Sequence, residues 1–118
     1  MKIVDRATFL EMAAGTLFAK YQPCCFDTLA IKEETSFSDF WVQDLVPWFE
    51  GVDDSGGYFD TLARMAKGVS SPPLDYDCTS RDGLFDAGQL FAVFERDDVV
   101  ALIARLTRAI SDTESVRL

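Results

Sequence analysis

Residues 89–110 read QLFAVFERDDVVALIARLTRAI, and this stretch contains the two clearest structural signals of the chain. The first signal is the run of five apolar residues at 90–94, which favours a strand that is buried on both faces. We therefore expect a buried central strand over residues 89–95.

The second signal is an amphipathic helix over 97–110. Two aspartates stand at its start and two arginines toward its end, which complements the helix dipole. Its apolar positions recur at intervals of three and four residues and form one stripe, consisting of Val99, Leu102, Ile103, Leu106 and Ile110. The pattern predicts that Leu102 and Leu106 point into the core and that residues 111–118 fray.

The preceding sequence predicts further strands. Residues 16–21 and 28–32 are suited to pair as a hairpin, with a proline-containing connection at 22–27. Residues 36–49 include the dense apolar side chains of a buried strand, although a proline near the end limits how far it can pair centrally. Alternation of apolar and polar residues at 74–79 predicts one more strand, with one side facing solvent.

Two shorter helices complete the expected fold. The first begins at Asp5 or Thr8 and ends at Gly15, and the second spans 58–67. The order of the elements predicts a single α+β domain over residues 1–118, with a mainly antiparallel sheet packed by helices. A chain of 118 residues with 48% apolar composition can bury one core of its own without disulfides.

The cysteines and the N-terminal residues bear on the cellular compartment. Three cysteines, two of them adjacent, do not form the even set of a disulfide framework, so we expect reduced thiols in the cytoplasm. Asp5 and Glu11 interrupt the apolar run that a signal peptide needs. No segment approaches the ~20 continuous apolar residues of a membrane span, so we expect no membrane association.

The charge of the chain is concentrated in residues 33–63, which we call the acidic window. This window contains eight acidic residues and neither Lys nor Arg, so it accounts for −8 of the formal net charge of −9. It also contains seven of the fifteen aromatic residues, including both tryptophans. Such a mixture is typical either of a core element with a solvated acidic side or of a surface that meets a basic partner.

Three interpretations of the acidic window compete. In the first, the rings belong to the core and the acids keep the domain soluble. In the second, the window is a recognition surface. In the third, the rings line a small-molecule pocket. We favour recognition of a basic protein, for example one that handles nucleic acid, by a non-catalytic inhibitor or regulator such as a phage or mobile element encodes. The residues expected to bind that partner are Glu33, Glu34, Asp39, Trp41, Asp44, Trp48, Glu50, Asp53 and Asp54.

Catalytic and cofactor motifs are missing from the sequence. Without histidine there is no Ser-His-Asp or Cys-His pair and no imidazole ligand for zinc, so we expect no enzyme, cofactor or metal. The scattered Lys and Arg residues argue against direct nucleic-acid binding. The alternative is a ligand-binding or metal-dependent enzyme domain that uses Asp75 and Asp77, which share a face of the strand expected at 74–79.

Overall fold

The computed structural model describes the backbone of residues 1–116 and the side chains of residues 1–114. Its elements in chain order are β1 (Lys2–Val4), α1 (Arg6–Leu10), β2 (Thr16–Gln22), β3 (Cys25–Ser36), β4 (Asp39–Asp44), α2 (Ser55–Ala66), β5 (Ser80–Arg81), β6 (Leu90–Val93) and α3 (Arg96–Val116). The strands form one sheet in the order β1-β6-β2-β3-β4-β5, and all neighbours are antiparallel. The predicted fold class, a single α+β domain, is confirmed.

The core lies between α1 and one face of the sheet. Asp5 caps the helix by accepting a hydrogen bond from the backbone N–H of Thr8 at 2.8 Å. The helix presents Phe9, whose ring stacks on Phe91 of β6 with centroids 4.0 Å apart. The rings of Phe18 and Phe40 complete this aromatic cluster from β2 and β4. Strand β6 lies between β1 and β2, as expected for a buried run.

Both hairpins of the sheet turn within two residues. Gln22 pairs with Cys25, so Pro23 and Cys24 form the first turn, with Cys24 in the left-handed region at φ 70°. This proline followed by a left-handed residue corresponds to a type II turn. The predicted hairpin is confirmed, but the connection expected at 22–27 is shorter, because strand pairing continues almost to the turn.

The strand expected at 74–79 is wrong. Only Leu74 pairs, through a single bridge to Phe49, and the short strand β5 lies beyond the predicted range. The backbone N–H of Asp77 donates to Asp75 Oδ1 at 2.9 Å, so this segment turns locally instead of extending. The sequence analysis also missed β1, whose three residues are too few for a periodic pattern.

The C-terminal helix α3 is longer than predicted. It continues to Val116 through the region expected to fray, while residues 117 and 118 lie outside the described part of the chain. Leu106 is 56% exposed and does not enter the core, contrary to the prediction. Among helices within residues 1–116, none is both long and apolar enough to cross a membrane.

Candidate functional site

A β-bulge between β3 and β4 brings two carboxylates opposite one tryptophan. Lys32 pairs with Val42 and Thr35 with Phe40, so the two residues between them on β3, Glu33 and Glu34, oppose the single residue Trp41 on β4. A bulge of this kind redirects side chains that would alternate in a regular strand. The result is a cleft of about 320 Å³, here called the bulge cleft, lined by Glu33, Glu34, Trp41 and Thr79.

A second cleft, of about 410 Å³, lies where β4 leads into the following loop, and we call it the loop cleft. It also combines carboxylates with an indole ring. Its lining consists of Asp44, Pro47, Trp48, Val52, Asp53, Asp75, Cys78 and Ser80. The acidic window thus contributes to two separate clefts.

Backbone hydrogen bonds hold the loop cleft in shape. The N–H of Glu50 donates to the carbonyl of Pro73 at 3.0 Å, and the N–H of Asp75 donates to the carbonyl of Trp48 at 2.8 Å. The ring of Trp48 stacks on Tyr58 of α2, with centroids 4.8 Å apart and planes inclined by 22°. These contacts restrict the indole before any partner arrives, which lowers the entropy lost on binding.

Asp39 corrects the predicted set of partner-binding residues, because it lies inside the protein with 1% of its surface exposed. It accepts hydrogen bonds from Arg81 Nε at 3.2 Å and from the backbone N–H of Gly83 at 3.1 Å. Burial acts to raise the pKa of Asp39, but hydrogen bonds from the N–H groups of Gly83 and Phe40, with the charge of Arg81, outweigh it and hold the pKa below its ordinary value.

A second buried carboxylate, Asp82, extends this ionic cluster. Lys20 Nζ lies 2.5 Å from Asp82 Oδ1, and Arg6 Nη1 lies 3.7 Å from Asp82 Oδ2. Arg6 also reaches Asp39, at 4.0 Å, and donates to the carbonyl of Ser38 at 2.7 Å. The cluster joins α1, β2 and the hairpin between β3 and β4, so its charges are already paired within the fold and are not free to bind a partner.

The remaining predicted residues of the acidic window have different positions. Asp54 is the N-cap of α2 and accepts a hydrogen bond from the N–H of Gly57 at 2.7 Å, so part of its role is structural. Glu50 is exposed on the loop after Trp48 but does not line the loop cleft. Glu33, Glu34 and Trp41 are brought together, as are Asp44, Trp48 and Asp53.

The residues proposed for metal chemistry are not arranged as expected. Asp75 and Asp77 flank Tyr76 in a local turn and do not lie on a common strand face. Within the described part of the chain, no group of three Cys, Asp or Glu side chains is placed to hold a metal ion. Cys24, Cys25 and Cys78 all have free, exposed thiols.

Sequence analysis did not identify Phe37. This residue is the first of two in the turn between β3 and β4, its φ is 58°, and its side chain is fully exposed. Glycine, asparagine and aspartate normally occupy such a position. Nearby, an apolar groove of about 390 Å³ is lined in part by Ser38 and Phe85. The signal for this turn is the two-residue connection between β3 and β4. The sequence analysis treated residues 36–49 as one strand and therefore did not recognise the turn.

Both clefts combine carboxylates with an indole, which suits them chemically to a lysine or arginine side chain. The cation can pair with the carboxylates while its stem or its guanidinium plane lies on the ring. The described residues that line these clefts include neither Lys nor Arg, although the Lys32 ammonium interacts electrostatically with Glu33 and Arg81 pairs across the strands with Trp41. No protein-family model matches the chain, and comparisons with curated proteins and with solved structures find no match.

Proposed function

We propose that this protein is a non-catalytic binding protein whose bulge cleft and loop cleft accept basic side chains of a protein partner. The observation that carries the proposal is the β-bulge, which sets Glu33 and Glu34 together opposite Trp41. A regular strand would direct two consecutive carboxylates to opposite faces of the sheet. The bulge instead supplies a paired negative charge beside an aromatic ring.

The loop cleft repeats this chemistry with different elements. Asp44 and Asp53 supply the charge, and Trp48 supplies a ring that Tyr58 already holds in place. A cation over an indole contributes about 0.5–1 kcal/mol at exposed sites and ~2 kcal/mol or more when desolvated. Two such clefts on one scaffold bind a partner more tightly than either one does, provided that both can be engaged at once.

A partner with a strongly basic surface fits this arrangement best. The local charge steers such a partner during encounter, so binding is fast at low ionic strength and weakens as salt is added. Proteins that handle nucleic acid have basic surfaces of this kind, because they contact phosphates with Lys and Arg. When the acidic clefts bind that surface, nucleic acid cannot bind it, so the partner is inhibited. The free thiols of the chain suit a reducing cytoplasm.

The two tryptophans allow each cleft to be tested separately, since the chain has no others. Trp41→Phe leaves only the loop-cleft fluorophore, and Trp48→Phe leaves only the bulge-cleft fluorophore. Titration with an arginine-rich peptide should change the fluorescence of both variants at low salt. A glutamate-rich peptide of equal length should change neither, because like charges repel.

The control must separate a local effect from the overall negative charge. The double variant Glu33→Gln/Glu34→Gln and the double variant Asp97→Asn/Asp112→Asn lose the same charge, but the second pair lies on α3 outside both clefts. We expect peptide binding at Trp41 to weaken at least several-fold in the first variant and to change little in the second. Equal binding by the two variants would contradict the proposal.

A further inference from the structure

Helix α3 exposes most of its apolar stripe. Ile103, Leu106 and Ile110 are between 56% and 60% exposed, and they lie along one side of the helix at intervals of three and four residues. Val99 and Leu102, near the start, are half-buried. The exposed part of the stripe therefore begins at Ile103.

The described part of the chain does not cover this face. The helix makes only sparse contact with the strands, and the aromatic core contains no residue from it. The radius of gyration is 16.8 Å, whereas a compact domain of this length has about 13.5 Å. The chain is therefore less compact than a domain of this length usually is, and α3 leaves the apolar side formed by Ile103, Leu106 and Ile110 largely exposed.

We propose that a second copy of this chain covers α3, and that the two helices pair in antiparallel orientation about a two-fold axis. The apolar positions are nearly symmetric about the middle of the stripe. A two-fold axis near residues 104 and 105 places Ile103 against Leu106 of the second copy, and Val99 against Ile110 of the second copy. The same patch thus serves both protomers, as a two-fold interface requires.

The charges at the ends of the stripe fit the same arrangement. Arg96 and Glu114 are 18 residues apart, which is about five turns, so they lie on the same side of the helix. In the antiparallel pair, Arg96 of each copy lies one residue from the level of Glu114 of the other, within reach of its side chain, at both ends of the interface. Along the other edge, Asp98 already pairs with the N-terminal amine of Met1 at 2.5 Å. Antiparallel packing also opposes the two helix dipoles favourably.

The molar mass in solution tests the proposal directly. The protomer mass is 13.2 kDa, and light scattering after size exclusion should give twice that value for the wild type. Ile103→Glu places a charge in the centre of the interface and should give the monomer mass. Ala101→Glu introduces the same residue on the opposite, exposed side of α3 and should remain dimeric. Circular dichroism checks that both variants keep their helix.

Charge reversal tests the antiparallel orientation. Arg96→Glu and Glu114→Arg should each raise the dimer dissociation constant several-fold, and the double variant should restore it. In a parallel pair these two positions lie about 27 Å apart, so the double variant would not be restored. A dimer without such restoration overturns the antiparallel register.

A monomeric wild type at all protein concentrations overturns the proposal altogether. Binding of that monomer to vesicles of phosphatidylcholine and phosphatidylserine would instead assign the face to a lipid surface. The clefts do not involve α3, so Glu33→Gln/Glu34→Gln should leave the dimer mass unchanged. Failure of the dimer and failure of the proposed cleft function are therefore distinguishable.

Discussion

Arg81 Nε lies 3.2 Å from Asp39 Oδ2, and this contact ties the two-residue edge strand β5 to a carboxylate at the start of β4. Arg81 is about half exposed, whereas Asp39 is almost completely buried. A short edge strand gains little from its own backbone pairing. With only two residues, β5 would be marginally stable by itself, so its contact with the buried carboxylate holds it in place.

Asp39→Asn should destabilise the protein by about 3 kcal/mol, because it removes the anion of a buried ionic cluster while the cationic partners remain. Asp44→Asn, at the exposed end of the same strand, should change stability by no more than about 0.5 kcal/mol. Urea unfolding of both variants provides the comparison. Equal stabilities would show that Asp39 is solvated.

The same carboxylate predicts a dependence of stability on pH. The pKa of Asp39 in the folded protein lies below its ordinary value of 3.8, so the folded state favours the ionised form. Its stabilising contribution is complete above pH 3.8 and is lost as the pH falls through the lower, folded-state pKa. The difference in unfolding free energy between wild type and Asp39→Asn should therefore shrink in that acidic range and stay constant near neutral pH.

Phe9→Ala should cost about 3–5 kcal/mol, because the ring is fully buried and contacts three other phenylalanines. Phe59→Ala makes the same chemical change on α2, where the ring is 66% exposed, and should cost less than about 1 kcal/mol. Thermal unfolding measures both. Similar losses in the two variants would contradict the placement of the core around α1.

The strands were predictable where apolar runs were bounded by turn residues. The hairpin of β2 and β3 and the buried strand β6 follow from such runs. Alternation at 74–79 was misleading, because Asp75 satisfies a backbone N–H locally and only Leu74 finds a pairing partner. An alternating pattern indicates that the two faces of a segment differ in polarity, but it does not ensure that another strand lies beside the segment to pair with it.

The helix and the acidic window show a different limit of sequence reasoning. The stripe on α3 was identified correctly, yet periodicity alone cannot say whether Leu106 faces its own core or another molecule. Likewise, eight acids in one window do not reveal which is buried. Asp39 is ionic because Arg81, Arg6 and the N–H of Gly83 converge on it from distant segments.

Lys32 predicts a pH effect of the opposite kind at high pH. Its ammonium is buried and donates to the carbonyls of Met12 at 2.9 Å and Glu33 at 3.0 Å. Burial lowers the pKa of Lys32 below its ordinary value of 10.5, against the opposing charge of Glu33. The protonated form is thus disfavoured in the folded state, and that cost disappears as the pH rises through the folded-state pKa toward 10.5.

The stability of the wild type relative to Lys32→Met should therefore increase with pH in the alkaline range. Lys2→Met serves as the control, since Lys2 is exposed on β1. Chemical unfolding at several pH values from 7 to about 10.5 measures both differences. A flat difference for Lys32→Met would mean that the ammonium reaches solvent in the folded protein.

Phe37 predicts a gain of stability on mutation. Its left-handed backbone, with φ 58°, costs a non-glycine residue about 1–2 kcal/mol, and its fully exposed ring returns no burial. Glycine adopts this conformation without strain. It also lowers the free energy of unfolding by about 0.4–1 kcal/mol, because the unfolded chain has greater conformational freedom. Phe37→Gly should therefore stabilise the protein by up to about 1 kcal/mol.

Phe26→Gly is the matched control, because Phe26 is also exposed but lies within β3 and contacts Tyr21 at a centroid distance of 5.3 Å. Glycine weakens a strand interior, so this variant should be less stable than the wild type. Opposite signs for the two variants in urea unfolding would identify Phe37 as a residue that folding does not require. An aromatic ring at a strained, solvent-facing position is then expected to serve binding. We consider a basic protein that binds the wild type at low salt but does not bind Glu33→Gln/Glu34→Gln. Phe37→Gly should bind this protein less than the wild type does. Binding equal to the wild type would exclude Phe37 from the interface.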